Sequence, residues 1–248
     1  MHSPKSYIDA ADPTGLQTLE IISHATAFNR WMYRTIRPFL QGSILEIGSG
    51  IGNISEFLIQ DGYTVTLSDY DTTYCARLTE RYKGAKGVQD VLRIDLERPD
   101  FYAAYAHIQS RYDTIFLLNV IEHINDDQAA IRHCASLLKA GGRLILLAPA
   151  FSFLYCGLDK ELGHHRRYTK AALARLLIQE GFAPVHQQYF NALGMAGWFF
   201  FGKLAGRNQL TAPAFQAFNI MVPFARLLDK LVNRWAGLSV IAVAAKKN

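Results

Sequence analysis

The stretch LEIGSGIGN, residues 45–53, passes from an apolar run into three glycines spaced two apart. A strand that ends in a glycine-rich turn and opens a helix can hold a nucleotide. The dinucleotide fingerprint GxGxxG places its third glycine three residues after the second, where helix and strand pack closely beside a pyrophosphate. Counted from Gly48 and Gly50, that position is Asn53, and the loop reads G-x-G-x-G instead. Glu46 stands two residues before the first glycine, at the strand end. A carboxylate there repels a pyrophosphate and attracts an ammonium group.

Two further acids extend this reading. Asp69 in TVTLSDYD closes the next strand pattern, where a carboxylate can accept hydrogen bonds from both hydroxyls of a ribose. Asp95 in RIDLERPD follows the third strand pattern, where it can accept from an adenine amino group. Each acid alone could cap a helix. Together, ammonium, ribose and adenine describe S-adenosylmethionine.

The run from LEIGSGIGN through SDYD, RIDLERPD, YDTIFLLNVIEHI and LLKAGGRLILLAPA resembles the class I S-adenosylmethionine-dependent methyltransferases in motif order and spacing over about residues 43–150. The resemblance implies an α/β fold with a doubly wound, Rossmann-like, mostly parallel sheet of seven strands, the last one, SVIAVAAKK, antiparallel. It also implies that Gly48, Ser49, Gly50 and Gly52 line the methionine part of the cofactor, that Asp69 holds the ribose, that Asp95 with Leu96 frames the adenine, and that Asn119 and Val120 lie under the cofactor. Glu46 and Asn53 complete this set, and S-adenosyl-L-homocysteine is the expected product. The long interval before the last strand departs from the minimal family pattern, so the acceptor does not carry over.

Outward from the glycine turn, strand patterns at 43–47, 64–68, 88–94, 114–119, 143–148, 185–189 and 240–245 alternate with helical ones near 53–61, 72–82, 126–139 and 169–180. Thr169 opens the last of these helices and Gly181 closes it. Residues 16–40 predict one or two helices. A single domain over 1–248 is expected, with an N-terminal helical cap (1–42), a cofactor-binding core (43–150) and an acceptor-side region (151–248) carrying a helical insertion at about 191–238. In the insertion, the apolar run in GMAGWFFFGKLAG is too short to span a bilayer. Phe224, Leu227, Leu228, Leu231 and Trp235 share one helical face, which packs on the chain's own core, covers a substrate pocket or rests on a membrane.

With 248 residues, half of them hydrophobic, the chain can bury a full core, which excludes disorder. Cys75, Cys134 and Cys156 match neither a CxxC pair nor a zinc-ligand spacing, so reduced thiols and no metal are expected. The segment MHSPKSYIDAADPTG holds no apolar run of signal-peptide type, and the expected location is cytoplasmic, with peripheral contact at the inner face of a membrane. Residues 151–248 carry 12 Lys+Arg against 4 Asp+Glu, a net +8, whereas residues 1–150 are net −3. Nucleic acid, an anionic membrane and an acidic small substrate would each suit that basic half.

Methyl transfer from a sulfonium needs a positioned nucleophile and, for a neutral acceptor, one base. His123 in NVIEHI follows the fourth strand and is a candidate base or orienting donor; the alternative is a histidine that shapes the loop, which Glu122 braces. In LDKELGHHRRY, His164 or His165 can stand over the acceptor, with Arg166 or Arg167 pairing an anionic group and Tyr168 beside them. The alternative is a structural loop whose arginines pair with core carboxylates. Trp198, with Phe199, Phe200, Phe201 and Phe218, supplies an apolar wall, and Lys203 and Arg207 add charge to its rim. Trp31 and Tyr33 either close over the cofactor as a lid or belong to the core. The expected partner is a small-molecule or lipid-like, anionic acceptor, with membrane contact and a homodimer as the two other uses of the aromatic insertion. Glu46 and the missing third glycine count against NAD chemistry, and the absence of an appended RNA-binding motif counts against nucleic acid. A cofactor-binding module without catalysis is the other class; it would not need His123 and a His-Arg loop beside the cofactor.

Overall fold

The structure is a computed structural model that describes residues 13–206 and 211–247; Tyr7 and Arg207 lie outside the described residues. Its strands are β1 (Ile44–Ile47), β2 (Val65–Asp69), β3 (Val88–Arg93), β4 (Tyr112–Leu118), β5 (Leu138–Pro149), β6 (Phe182–Phe190) and β7 (Ser239–Lys246). They form one sheet in the order β3-β2-β1-β4-β5-β7-β6. β7 runs antiparallel to β5 and β6, and the other pairings are parallel. The strand order reverses between β1 and β4, and such a switch point opens a crevice at the carboxyl ends of the two strands. The glycine turn after β1 and Asn119–Val120 after β4 therefore face each other.

Strand alternation assigns each side chain to one of two cores. Leu45, Ile47, Ile115, Leu117, Leu144 and Leu146 pack on one face of the sheet, and Ile44, Phe116, Ile145, Leu147, Ile241 and Val243 on the other. Burial on both faces is why β1 reads as a near-continuous apolar run.

The helices are α1 (Pro13–Ser23), α2 (Thr26–Ile36), α3 (Ser55–Gln60), α4 (Thr72–Arg81), α5 (Phe101–Ala104), α6 (Asp127–Leu137), α7 (Gly157–Glu161), α8 (Lys170–Gln179), α9 (Ala192–Gly197) and α10 (Ala212–Val232). Side chains start four of them: Thr169, the expected cap, accepts from Ala172 N–H, Asp71 from Thr73 N–H, Asp126 from Ala129 N–H and Asn191 from Gly194 N–H. Trp198–Leu204 continues α9 with wider π-helical turns, Ala205 N–H bonding the Phe200 carbonyl.

Two expectations are corrected here. Trp31 is not a cofactor lid: it is buried against Phe190 of β6, ring centroids 4.3 Å apart, because its face of α2 covers the sheet. Tyr33 likewise stacks on Phe57 and donates its hydroxyl to Asp61. The apolar face of α10 does not pack on the chain's own core. Val222, Ala225 and Asp229 point inward, while Phe224, Leu227, Leu231 and Trp235 are exposed.

Candidate active site

The turn after β1 is built for close approach. Gly48, Gly50 and Gly52 have φ of +75°, +55° and +83°, values that residues with a Cβ adopt at a cost. A Cβ on Gly48 would come within 2.4 Å of Val120 Cγ2. The sequence-predicted pair of segments thus meets at van der Waals contact. The N–H groups of Gly48 and Ser49 both bond the Ser68 carbonyl, that of Gly50 bonds Asp69 Oδ2 at 2.9 Å, and that of Gly52 bonds the Ser49 carbonyl. A pyrophosphate loop offers such donors to its ligand, and here protein oxygens take all four.

Charge points the same way. Glu46 is buried and takes the Ser55 hydroxyl at 2.5 Å. Burial pushes its carboxyl up to about 8, against the hydrogen bonds of Ser55 and Ser49. A cation brought beside it would favour the ionised form. Asp69 is also buried, and burial raises it to about 6 although Asp71 and Gly50 N–H groups bond it. Asp69 therefore ties the end of β2 to the glycine turn, and each oxygen keeps a lone pair for a ribose hydroxyl. Asp95 accepts Glu97 N–H at 2.9 Å and borders a cleft of about 460 Å³, and Leu96 beside it is buried. These residues fit an amino-acid-bearing nucleoside.

Asn53 also ties the turn to α1. Its side-chain amide donates to the Leu19 carbonyl at 3.1 Å, and Leu19 lies against Gly50, so Asn53 holds α1 across the turn. Sequence reasoning missed Leu19; a lone leucine on a helix gives no signal for this contact.

The acceptor edge is assembled from two loops. Asn119, with φ +55°, ends β4 and turns the chain into Ile121–His123. After β5, α7 and the following loop bring His164 to the same place. The rings of His123 and His164 meet edge to face with centroids 4.9 Å apart. His164 Nδ1 lies 2.9 Å from Asp159 Oδ1, which also accepts Arg167 Nε at 2.8 Å. Burial pushes Asp159 up, but the hydrogen bonds from His164 and Arg167 outweigh it and hold the carboxyl below its usual range. An ionised Asp159 can only accept, so Nδ1 carries a proton and Nε2 of a neutral His164 is a base. That nitrogen faces Glu122 Oε1 at 4.0 Å. Glu122 is fully buried, neither carboxylate oxygen has a hydrogen-bond partner among the described residues, and burial raises it to about 8. Sequence spacing does not single out Asp159, which turns inward from a charged run whose Glu161 is exposed.

Several acceptor assignments need correction. His165 is exposed and outside the cluster; its backbone N–H bonds the Glu122 carbonyl. Arg166 pairs with Asp127 at 3.0 Å and donates to the Asn125 carbonyl, so it braces the loop after β4 rather than an anionic acceptor. Arg167 is buried, held by Asp159 and the Ala150 carbonyl, with its guanidinium over the Trp198 ring at 4.9 Å. Tyr168 is buried and donates to Asp127 at 2.8 Å. Arg167 and Tyr168 are drawn inward because carboxylates and carbonyls lie within reach, and Arg166 stays partly exposed. Trp198 remains beside the acceptor loop through Arg167, its indole N–H buried without a partner among the described residues. Of its aromatic neighbours, Phe200 and Phe201 are exposed and Phe218 packs on Phe28. Lys203 donates to the Phe153 carbonyl.

The loops also gather ligand atoms that sequence spacing did not announce. Donor atoms of Glu122, His123 and His164 all lie within 4.8 Å of one another, a set that could hold a divalent cation.

Comparison with known proteins places this geometry. A family described as "Methyltransferase domain" matches residues 45–144. A ubiquinone biosynthesis O-methyltransferase of Xanthomonas euvesicatoria is 34% identical over 167 residues, 60% of this chain and 66% of that protein. An S-adenosylmethionine-dependent methyltransferase of Mycobacterium tuberculosis is 29% identical over 57% of this chain and 49% of its own length. The chain thus spans about half to two thirds of the length of the curated relatives it matches. Among solved structures, a phosphoethanolamine N-methyltransferase 2 of Haemonchus contortus bound to S-adenosyl-L-methionine superposes with a TM-score of 0.62 at 17% identity, covering 99% of this chain and 62% of that one; this likeness is one of fold. With the glycine turn, the acidic strand ends and the strand order in agreement, the chain belongs to the class I S-adenosylmethionine-dependent methyltransferases.

Proposed function

We propose that the protein methylates a hydroxyl group of a small, lipid-like acceptor, with His164 as the base. The observation that carries this reading is the Asp159–His164 pair, which leaves Nε2 as an acceptor for a proton at the carboxyl end of β4. S-adenosylmethionine supplies the activated methyl group. Glu46 holds the ammonium end, Asp69 the ribose and Asp95 the adenine. His164 takes the proton of the acceptor hydroxyl, and Asp159 stabilises the imidazolium that results. His123, exposed beside it, orients the hydroxyl. The relative named as an O-methyltransferase supports oxygen as the acceptor atom. The aromatic segment around Trp198 supports a largely apolar body for that acceptor. With Arg166 and Arg167 engaged by the protein, exposed Lys160 and His165 are the groups of this segment left to meet an anionic part of the acceptor.

Transfer of a radiolabelled methyl group into a cell extract, followed by partition between organic and aqueous phases, tests the proposal. Label in an organic-phase methyl ether is the expected result. Label confined to the aqueous phase, or in an N-methyl product, refutes it.

A second reading rests on the unpartnered Glu122 oxygens. A divalent cation on Glu122, His123 and His164 would lower the pKa of a coordinated hydroxyl and replace the base. Turnover lost on exhaustive chelation and restored by a divalent salt would select this reading.

A further inference from the structure

α10 is amphipathic in the opposite sense to a buried helix. Ile220, Phe224, Leu227 and Leu231 recur every three or four residues along its outer face, and Trp235 prolongs the line in the turn beyond; all five are 58–80% exposed. The helix cannot roll this stripe inward. On its inner face Asp229 accepts the N–H groups of Asn191 and Ala192 at 2.6 and 2.7 Å, fixing the helix to the turn between β6 and α9. Val222 and Ala225 pack on the same inner side.

The flank of the stripe decides what covers it. Arg226, Lys230 and Arg234 follow one another at one-turn intervals beside the apolar line, all exposed and none in an ion pair among the described residues. The only acid on the helix is the buried Asp229. A wide apolar face bordered by cations alone is complementary to an anionic, apolar-cored surface. A second copy of this chain would bring the same cations and no exposed acid from this helix. No helix among the described residues is long and apolar enough to cross a membrane, which leaves docking in the plane of the interface.

We propose that α10 docks the protein on an anionic lipid bilayer, the five apolar side chains entering the acyl boundary and Arg226, Lys230 and Arg234 meeting the headgroups. The dock is independent of the acceptor chemistry, since none of these residues belongs to the candidate active site.

The test is flotation of the full chain with vesicles of phosphatidylglycerol and phosphatidylcholine, with phosphatidylcholine alone, and with the first at high salt. Binding to the mixed vesicles is expected, weaker by on the order of 10²-fold on neutral ones, as three basic residues near the surface imply. The double substitution Leu227→Glu with Leu231→Glu should abolish flotation while S-adenosylhomocysteine binding persists. The fluorescence of Trp235, far more exposed than Trp31, should shift to the blue on vesicles, and Trp235→Phe should remove that shift. Failure of the wild type to float, flotation unaffected by the double substitution, or a solution dimer that the double substitution makes monomeric would each overturn the proposal. Loss of methyl transfer with flotation intact would count against the proposed activity and leave the dock standing.

Discussion

The cofactor edge and the acceptor edge lie at the same end of one sheet, yet they are built by different means. The cofactor edge is mainly a backbone device: three positive-φ glycines, four N–H groups consumed by the protein, and a Cβ-free approach to Val120. Its polar side chains sit on the strand ends that they serve. The acceptor edge is a side-chain device, in which His164 meets His123 from a loop far along the chain and a buried carboxylate, Asp159, sets its orientation. A backbone device tolerates few substitutions and keeps one ligand. A side-chain device can be retuned to new acceptors without disturbing the turn.

The largest expected effect separates the two edges. His164→Ala should lower kcat by about 10²–10⁴-fold and leave S-adenosylhomocysteine affinity at the wild-type value by calorimetry. A matching fall in cofactor affinity would mean the edges are not separate. Gly48→Ala should instead strain the fold at the cofactor edge, because the new methyl meets Val120 Cγ2 at a positive φ. A loss of about 2–4 kcal/mol in denaturant unfolding is expected from strain and overpacking, and an unchanged midpoint would show that the turn yields easily.

Smaller effects sharpen the contrast. Asp69→Ala removes both the Gly50 brace and the ribose acceptors, for an expected loss of about 1.5–3 kcal/mol in cofactor binding, read by titration. Glu46 should link cofactor binding to pH. Its folded carboxyl titrates near 8, so the ligand-free protein holds that proton at neutrality, and an incoming ammonium favours its release. Affinity should therefore rise with pH below about 8, by at most roughly tenfold per unit, and Glu46→Gln should flatten the slope. Stability of the ligand-free chain should run the other way. The proton is lost at a lower pH from the unfolded chain than from the folded one, so stability falls as pH rises from about 4.5 towards 8. The smallest effect belongs to Arg166→Ala: a partly exposed pair of this kind is worth about 0–1 kcal/mol. A large rise in the acceptor's KM would restore it to the acceptor site.

The sequence carried the sheet well because alternation and turn chemistry are local. β3 was read to within a residue, and β7 was correctly placed and oriented. β5 begins earlier than expected, at Leu138 rather than Arg143, since Lys139, Gly141 and Gly142 carry no strand signal. The places of Glu46, Asp69 and Asp95, each beside its own strand, were legible for the same reason. Trp31 and the α10 stripe were harder. Helical spacing defines a face but not which way it turns, and that choice was made by Phe190 for one and by Asp229 for the other. Asp159 was hidden in a run of charges where no periodicity singles out the residue that turns inward.

The position of β7 has a consequence for how the chain is made. It fills the slot between β5 and β6, although β6 precedes it and residues 191–238 intervene. On a ribosome, β1 to β5 can zip as they emerge, but one margin of β5 stays open until α10 has been synthesised and β7 has followed it. Vectorial assembly thus stalls one strand short, with an unpaired β5 edge and a water-facing greasy helix present together. With α10 docked on lipid as proposed, early capture of the helix by a bilayer would keep those two adhesive features apart.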